Sequence, residues 1–192
     1  MLNDRSSLLS LLETRRSAKP RDLVGPGPTP AELDRMLAIA ARTPDHGKLH
    51  PWRFVLVGDD QRDALAALLR EALSDDNPAA RAAHRQKEDE FAHYAGQLVV
   101  LVSAPVRDHK IPIWEQELSC GAAGMNLLLA AHALGYVAGW VTGWRAYSER
   151  VRSAFCGPGE RIGGFIFIGR LGREIEDRSR PAPSEVVRQW QP

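Results

Sequence analysis

One long helix that is apolar on nearly all sides limits what this chain can fold into. The pattern predicts a helix over residues 114–134, with Glu115 and Glu117 in its first turn and Gly135 just past its end. Its C-terminal half has no polar face, and such a helix is buried in a core or an interface. Because glycine costs up to about 1 kcal/mol against alanine inside a helix, the small residues 120–124 predict close packing on another helix, within the subunit or across a dimer.

Short apolar runs between the predicted helices indicate a sheet. The unbroken run at residues 98–102 is typical of a strand buried on both faces. Further strands are predicted at 53–57, 136–142 and 162–169, where Gly163-Gly164 indicate a bulge or a close backbone approach. A length of 192 residues suits one domain, which we place at 1–192.

Three segments outside these elements have a distinctive composition. Residues 21–30 are rich in proline and glycine and predict a linker. The charge run within 75–95 predicts a helix with a solvated face, with a mobile flap over a pocket as the alternative. The polar tail 173–192 lacks a core of its own, so it is either disordered or wrapped on another part of the protein.

Composition excludes several classes of partner. Lys and Arg number 25 against 24 for Asp and Glu, a balance that disfavours nucleic acid and anionic membranes. No apolar run approaches the roughly 20 residues that span a bilayer, and the N-terminus lacks the features of a signal peptide. The two cysteines are far apart and form no CxxC. These features predict a reduced cytoplasmic protein without a structural disulfide.

Motifs for several common chemistries are absent from the sequence. It contains no GxGxxG after a strand, no Walker A sequence, no GxSxG and no HExxH. His46 and His50 have the spacing of two metal ligands on a helix, but Gly47 and Pro51 disfavour a helix there, so we predict no metal site. Neither cysteine has a neighbourhood typical of a nucleophile. We therefore predict no catalytic side chain, which is the profile of a protein whose cofactor does the chemistry.

Two polar segments are the candidate binding elements. Residues 42–52 pack two prolines, a glycine, two histidines and a lysine into a bend between a helix and a strand. Such a segment often carries binding groups, although a plain connecting loop is the alternative. At the end of the first helix stand Arg15, Arg16, Ser17 and Lys19, followed by Pro20. These cations suit either the helix dipole or a bound phosphate or anionic ring edge.

With these segments in view, the chain resembles the nitroreductase family of FMN flavoproteins, and most closely its small, minimal bacterial members. The marks are Arg15-Arg16-Ser17, the sequence TPDHGKLHPW at 43–52, WEQE at 114–117 and the closing RSRP at 178–181. Their order and spacing cover nearly the whole chain. The resemblance implies an α+β, nitroreductase-like fold in which helices surround a central, mostly antiparallel sheet. It also implies an intertwined homodimer with two FMN molecules at the subunit interface.

The resemblance assigns roles residue by residue. The residues that it implies for FMN are Arg15, Arg16, Ser17, Lys19, Arg42, His46, Lys48, Trp140, Val141, Thr142, Arg178 and Arg180. Lys19 would lie near the N1/O2 edge, where reduced flavin is negatively charged, and either Arg42 or His46 would come from the partner subunit. The stretch that matches an NAD(P)H-binding segment of relatives is Ala130, Ala131, His132, Ala133, Leu134 and Gly135.

Two positions depart from the family pattern. Lys48 stands where an asparagine is common, and His50 replaces the glutamine before Pro-Trp. An amide can both donate and accept hydrogen bonds, whereas lysine only donates. We expect FMN binding to survive, with a shifted redox potential or acceptor preference.

The resemblance implies a ping-pong oxidoreductase. Hydride would pass from NAD(P)H to FMN, and a nitroaromatic or other electron-poor small molecule would then take the electrons. One alternative is an FMN-dependent relative with another reaction, such as dehalogenation or oxidation of a heterocycle. The other is a flavin-binding protein with little turnover.

Overall fold

Within residues 1–191 the sheet has five strands, and β5 pairs with three of the others. The computed structural model describes residues 1–191. Its strands are β1 (Leu23–Val24), β2 (Trp52–Val57), β3 (Gln97–Ser103), β4 (Val137–Val141) and β5 (Arg161–Leu171). β2 pairs with β3, β3 pairs with β5, and β5 also pairs with β4 and β1. Every one of these pairings is antiparallel, which confirms the predicted sheet.

Seven α-helices lie within residues 1–191. They are α1 (Leu8–Thr14), α2 (Pro30–Ala40), α3 (Arg62–Asp76), α4 (Ala82–Ala92), α5 (Ile113–Ala133), α6 (Glu149–Phe155) and α7 (Pro183–Val186). None of the helices in this described part is long and apolar enough to cross a membrane. Pro192, which the predicted domain 1–192 includes, lies outside the described residues.

Alternate residues of β3 face opposite layers of helices, because successive side chains of a strand point to opposite faces. Leu98, Val100 and Val102 belong to a buried cluster with residues of α3, α4 and α6. Val99 and Leu101 belong to a second cluster with residues of α2 and α5. The unbroken apolar run of β3 therefore reflects burial on both faces, as predicted, and the sheet lies between two helical layers.

The two glycines of α5 have different surroundings, because Gly124 faces the sheet and Gly121 faces open space. A Cβ added at Gly124 would lie 2.7 Å from Leu101 Cδ2 and from the ring of Trp140, so glycine there lets the helix approach the sheet. A Cβ added at Gly121 would meet nothing within 4 Å. Around Gly121, Leu118 is 64% exposed and Met125 is 36% exposed. One edge of α5 is thus packed inside the subunit, and another is open.

The predicted bulge lies in β5. Leu101 pairs with Gly164 and Val102 pairs with Ile162, so Gly163 is the extra residue between them. Its carbonyl accepts a hydrogen bond of 3.0 Å from Trp140 Nε1. The bulge therefore also fixes the indole of a neighbouring strand.

Two sequence-based expectations are wrong. The predicted linker 21–30 contains β1, because Leu23 is buried and pairs with the end of β5. The charge run is not uniformly solvated, because Glu88 of α4 is 3% exposed and its carboxylate binds Arg145. Phe91 of the same helix is in the core, so the C-terminal half of α4 packs against the sheet.

Candidate active site

The segment after α1 lies against β4, and Arg15 and Lys19 at its two ends have extended ψ angles. Helix α1 ends because Arg15 adopts φ −58° and ψ 126°, outside the helical region. A side chain at Gly139 of β4 would collide with the carbonyl of Ala18, so glycine allows the segment to lie directly against the strand. Ala18 is buried while Lys19 is exposed. The buried Ala18 faces β4, and the exposed Lys19 beside it faces away from the strand.

Three guanidinium groups converge at this segment. Arg15 Nη1 donates to Ser17 Oγ at 2.9 Å, and Arg180 of the tail donates to the Arg15 carbonyl at 3.3 Å. Burial lowers the pKa of Arg15, and the positive charges of Arg180 and Arg16 lower it further. Within residues 1–191, neither Arg15 nor Arg16 forms an ion pair with an acid. A group of cations held together in this way favours an anionic ligand.

The first of two adjoining cavities lies beneath the tail and has a volume of about 390 Å³. Arg16, Ser17 and Lys19 form one wall, and residues 173–177 form the other. Arg16 Nε donates to the backbone carbonyl of Glu176 at 3.0 Å. Of the two alternatives for the tail, the structure therefore shows the wrapped one over this stretch.

The second cavity, of about 370 Å³, shares Lys19 with the first. Its lining residues are Lys19, Pro20, Arg21, Phe91, Tyr94, Val141, Thr142, Gly143 and Arg145. Gly143 has φ 72°, a conformation that favours glycine, and it turns the chain at the end of β4. The shared lysine makes the two cavities neighbours. The first is lined by side chains of both charges, three cations and the four acids Asp22, Glu174, Glu176 and Asp177, with the arginine cluster at its Arg16 wall, and the second is partly aromatic.

Trp140 is placed differently from its two neighbours. Its indole packs on Gly124 of α5 and on the bulge of β5, in the cluster on the α5 side of the sheet. Val141 and Thr142 instead border the second cavity. Within the subunit, the aromatic wall of that cavity comes from Phe91 and Tyr94, which sequence reasoning did not single out.

The loop 42–52 is attached to α5. His46 Nδ1 lies 2.8 Å from Glu115 Oε2, and Asn126 Nδ2 donates to Thr43 Oγ1 at 2.8 Å. Arg42, His46 and Lys48 are exposed and line neither of the two cavities of their own subunit. The loop thus lies beside the open edge of α5 rather than beside Lys19.

Residues 130–135 form the end of α5 and the turn after it. Ala130, Ala131 and His132 are buried, whereas Ala133 is exposed. The His132 ring lies between two backbone carbonyls, with Nδ1 at 2.7 Å from Leu128 O and Nε2 at 3.3 Å from Arg16 O. Burial lowers the pKa of His132. Its visible role is to join α5 to the segment that carries Arg16, and the buried residues offer no accessible side chain to a nucleotide.

The two tail arginines also differ. Arg180 reaches the backbone of Arg15, whereas the backbone N–H of Arg178 donates to Asp177 beside it. Sequence reasoning missed Arg145 and Arg173, which border the cavities. For Arg145, one sequence signal was available, because it directly follows the predicted strand and Gly143-Trp144. No comparable signal marks Arg173.

Neither the cysteines nor a metal site provides catalytic chemistry in the described part of the chain. Burial raises the pKa of both Cys120 and Cys156 to about 11, which keeps the two thiols protonated near neutral pH. In the described part of the chain, no three acidic, histidine or cysteine side chains are grouped to hold a metal ion.

A larger cavity, of about 530 Å³, lies elsewhere, around Arg62. The guanidinium of Arg62 donates to the carbonyls of Ala92 and Gly96, at 3.2 and 2.7 Å. It therefore ties α3 to the end of α4. None of the predicted site residues lines this cavity, so we place the active site at the two cavities that share Lys19.

Comparison with known proteins decides the family. A family model described as the nitroreductase family matches residues 12–170. The chain belongs to the nitroreductase family. It is 34% identical over 172 residues to a provisionally named NAD(P)H nitroreductase of Haemophilus influenzae, covering 88% of this chain and 91% of that protein. It is 35% identical over 167 residues to the provisionally named NAD(P)H nitroreductase YdjA of Escherichia coli K12, covering 84% and 86%.

Solved structures agree with this nitroreductase fold. A nitroreductase-like family protein from Bacillus cereus superposes with a TM-score of 0.80 at 20% identity, over 97% of each chain. A point mutant of NfnB, an FMN and NADPH-dependent nitroreductase from Sphigopyxis sp. strain HMH, gives a TM-score of 0.70 at 20% identity, over 94% of this chain and 96% of that one. The fold is thus α+β and nitroreductase-like, and the protein is an oxidoreductase of the nitroreductase type.

Proposed function

We propose that this nitroreductase-family protein uses FMN to carry hydride from NAD(P)H to nitroaromatic or other electron-poor acceptors. One observation carries the proposal: Arg15, Arg16 and Arg180 converge beside Ser17, next to a second cavity that shares Lys19. The arginine cluster suits the anionic end of a ligand, and the adjoining second cavity suits a planar ring. The description of NfnB as FMN and NADPH-dependent supports the same cofactor and donor.

The residues present fit FMN. Arg15, Arg16, Ser17 and Arg180 would hold its phosphate, because guanidinium groups and a hydroxyl donate hydrogen bonds to phosphate oxygens. Lys19 would lie at the N1/O2 edge of the ring. When bound, FMN accepts a hydride and passes the electrons on, so no nucleophile or acid–base pair from the protein is needed.

The protein contributes position, charge and exclusion of water. The charge of Lys19 favours negative charge on a neighbouring ring. Phe91 and Tyr94 provide apolar walls, and the backbone polar groups of Val141 and Thr142 offer hydrogen bonds at the end of β4. We propose a ping-pong order in which NAD(P)H and the acceptor use the second cavity in turn, within one domain spanning 1–192.

The open edge of α5 supports the homodimer. Trp114, Leu118, Gly121 and Met125 recur at intervals of four, three and four residues, which places them on one side of the helix. The stripe of these four residues is largely exposed, with Trp114 at 61%. An exposed apolar stripe with space at a glycine suits a second helix packed closely upon it.

The dimer would also explain the loop 42–52. His46 is attached to Glu115, one residue from the start of the stripe, so the loop lies at the edge of the proposed interface. We propose that Arg42, His46 and Lys48 reach the FMN site of the partner subunit in an intertwined homodimer. The predicted flavin contacts that lie apart within one chain would then meet in the dimer.

Flavin reduction and reoxidation test the function. Purified protein is expected to carry FMN, to lose its yellow colour when mixed anaerobically with NADH or NADPH, and to regain it with a nitroaromatic acceptor. Slow bleaching without reoxidation by any acceptor would instead support a flavin-binding protein with little turnover. A colourless protein whose melting temperature does not respond to added FMN would contradict the proposal.

Replacing His46 with alanine tests the shared site. If His46 contacts FMN in the partner, His46→Ala weakens FMN binding by about 10-fold, as expected for one lost hydrogen bond to a charged or polar group. Fluorescence titration of the protein freed of flavin measures the dissociation constant. The control is His84→Ala, since His84 is an exposed histidine of α4. Equal FMN affinity in the His46 variant and the wild type would remove His46 from the site.

A further inference from the structure

We propose that Arg145 binds the electron acceptor and selects planar aromatic molecules that carry a carboxylate. The inference rests on the proposed function, because it names the class of acceptor that the second cavity takes. The side chains that line this cavity carry a net positive charge. Three of its lining side chains are cations, namely Lys19, Arg21 and Arg145, and none of the described residues that line it is an acid.

The guanidinium of Arg145 is held in one orientation. Its Nε donates to Glu88 Oε2 at 2.5 Å. Its Cζ lies 4.0 Å from the ring centroid of Phe91 and 5.5 Å from that of Trp144. Only 16% of its side chain is exposed. A charged group fixed on three sides is preorganised for a ligand, since little conformational entropy is lost when it binds.

The ends of this guanidinium remain available. Neither Nη atom of Arg145 hydrogen-bonds to a residue within 1–191, although the side chain borders the cavity. Two parallel N–H groups on a planar fork match the two oxygens of a carboxylate. Glu88 and Phe91 occupy the Nε and one face of Arg145, so the Nη groups are the ones left for a ligand in the cavity that Arg145 borders.

The burial of the Glu88 carboxylate costs desolvation free energy, which the ion pair with Arg145 does not fully recover. Burial raises the pKa of this carboxyl, and the charge of Arg145 opposes that rise. Buried ion pairs contribute little to stability compared with apolar residues of similar size. A role in positioning Arg145 at the cavity gives the pair a function.

The aromatic lining of the cavity indicates the shape of the rest of the ligand. Tyr94 borders the same cavity and is half-buried, whereas Phe91 is 4% exposed and its ring face is covered by Arg145. A flat aromatic molecule can therefore pack against Tyr94. Lys19 is assigned to the flavin edge and the Arg21 side chain is 61% exposed, so the half-buried Arg145 is the cation left for a carboxylate on the acceptor.

Two nitroaromatics of nearly the same shape test the inference. Wild-type holoenzyme is expected to reduce 4-nitrobenzoate with a higher kcat/KM than neutral 4-nitrobenzamide. In the double variant Glu88→Gln with Arg145→Gln, the ratio of the two kcat/KM values falls by about 10- to 100-fold, as expected for a lost hydrogen bond to a charged group. Changing both residues leaves no unpaired buried charge. The single variant Arg145→Lys, which keeps the charge but loses the fork, is expected to lie between the two.

A matched control and a second readout separate recognition from folding. Arg170 stacks on Tyr136 at 4.1 Å and lines neither cavity, so Arg170→Gln should leave the ratio unchanged. Benzoate, which has no nitro group to reduce, should bind wild-type holoenzyme in calorimetry and bind the double variant at least 10-fold more weakly.

Each outcome decides the matter. An unchanged kcat/KM ratio, or unchanged benzoate binding, overturns the role of Arg145. Partial loss of FMN from the double variant, with an unchanged ratio in the fraction that keeps FMN, also overturns it, because Arg145 would then serve the cofactor. If the wild type reduces neither acceptor, the proposed function fails, and benzoate binding alone then decides whether Arg145 holds a carboxylate.

Discussion

Lys48 differs from the asparagine that is common in the family in two ways, in its backbone preference and in its side-chain chemistry. Its φ is 54° and that of His50 is 50°, so both adopt the left-handed conformation. Asparagine is common at the first position in the family, and it tolerates this conformation better than most residues do. Lysine in place of asparagine at position 48 therefore strains the backbone of the loop, whether or not the side chain contacts a ligand.

We expect Lys48→Asn to stabilise the protein. Relief of the left-handed conformation should raise the free energy of unfolding by about 0.5–1 kcal/mol, measured by chemical denaturation. The matched control is Lys87→Asn, an exposed position within α4, where the same change should lower stability by a few tenths of a kcal/mol because asparagine is a poorer helix former. Equal effects at the two positions would show that the conformation of Lys48 is not strained.

At the scale of elements, α5 packs on the sheet through a glycine. An added Cβ at Gly124 would press on Leu101 and Trp140, and Trp140 is itself fixed by its hydrogen bond to the bulge of β5. Neither neighbour can move without disturbing the sheet. The approach of helix to sheet at this point therefore depends on the missing side chain.

Gly124→Val should destabilise the protein by about 1–3 kcal/mol through overpacking, measured as a lower melting temperature by circular dichroism. The control is Ala133→Val, at an exposed position near the end of the same helix. It introduces the same side chain without overpacking, so it should lower stability only by the poorer helix propensity of valine, a few tenths of a kcal/mol. A Gly124→Val variant as stable as the wild type would show that α5 can shift away from the sheet.

At the scale of the whole molecule, the exposed stripe of α5 and the attached loop 42–52 make the subunit incomplete by itself. Leu118→Glu places a charge in the middle of the stripe. We expect this variant to be monomeric in light scattering and to lose most of its FMN, because the contacts from the partner's loop would be missing. The control is Leu56→Glu, a 41% exposed leucine of β2 outside the stripe. A Leu118→Glu dimer with full FMN occupancy would contradict the proposed interface.

The sequence predicted the elements whose signals are local. Helix α2 has the capping box of Thr29 and Glu32, with the Glu32 backbone donating to the Thr29 hydroxyl at 3.3 Å. The bulge was predicted from Gly163-Gly164, because glycine in a strand interior has few other uses. The order of motifs along the chain also pointed to the family. Each motif lies within a few neighbouring residues, and the order of the motifs can be read along the sequence without knowledge of the fold.

Only the tertiary structure decided the rest, because it depends on contacts between distant residues. Nothing near Leu23 indicates that it pairs with Leu171, and a charge run cannot show which of its members, here Glu88, turns inward to meet Arg145. The apolar C-terminal half of the long helix predicted burial in a core or an interface without showing which; in the structure one edge of the helix meets Trp140 and the other is open. Sequence periodicity reports how apolar a face is, whereas the surface that covers it is determined by how the whole chain packs.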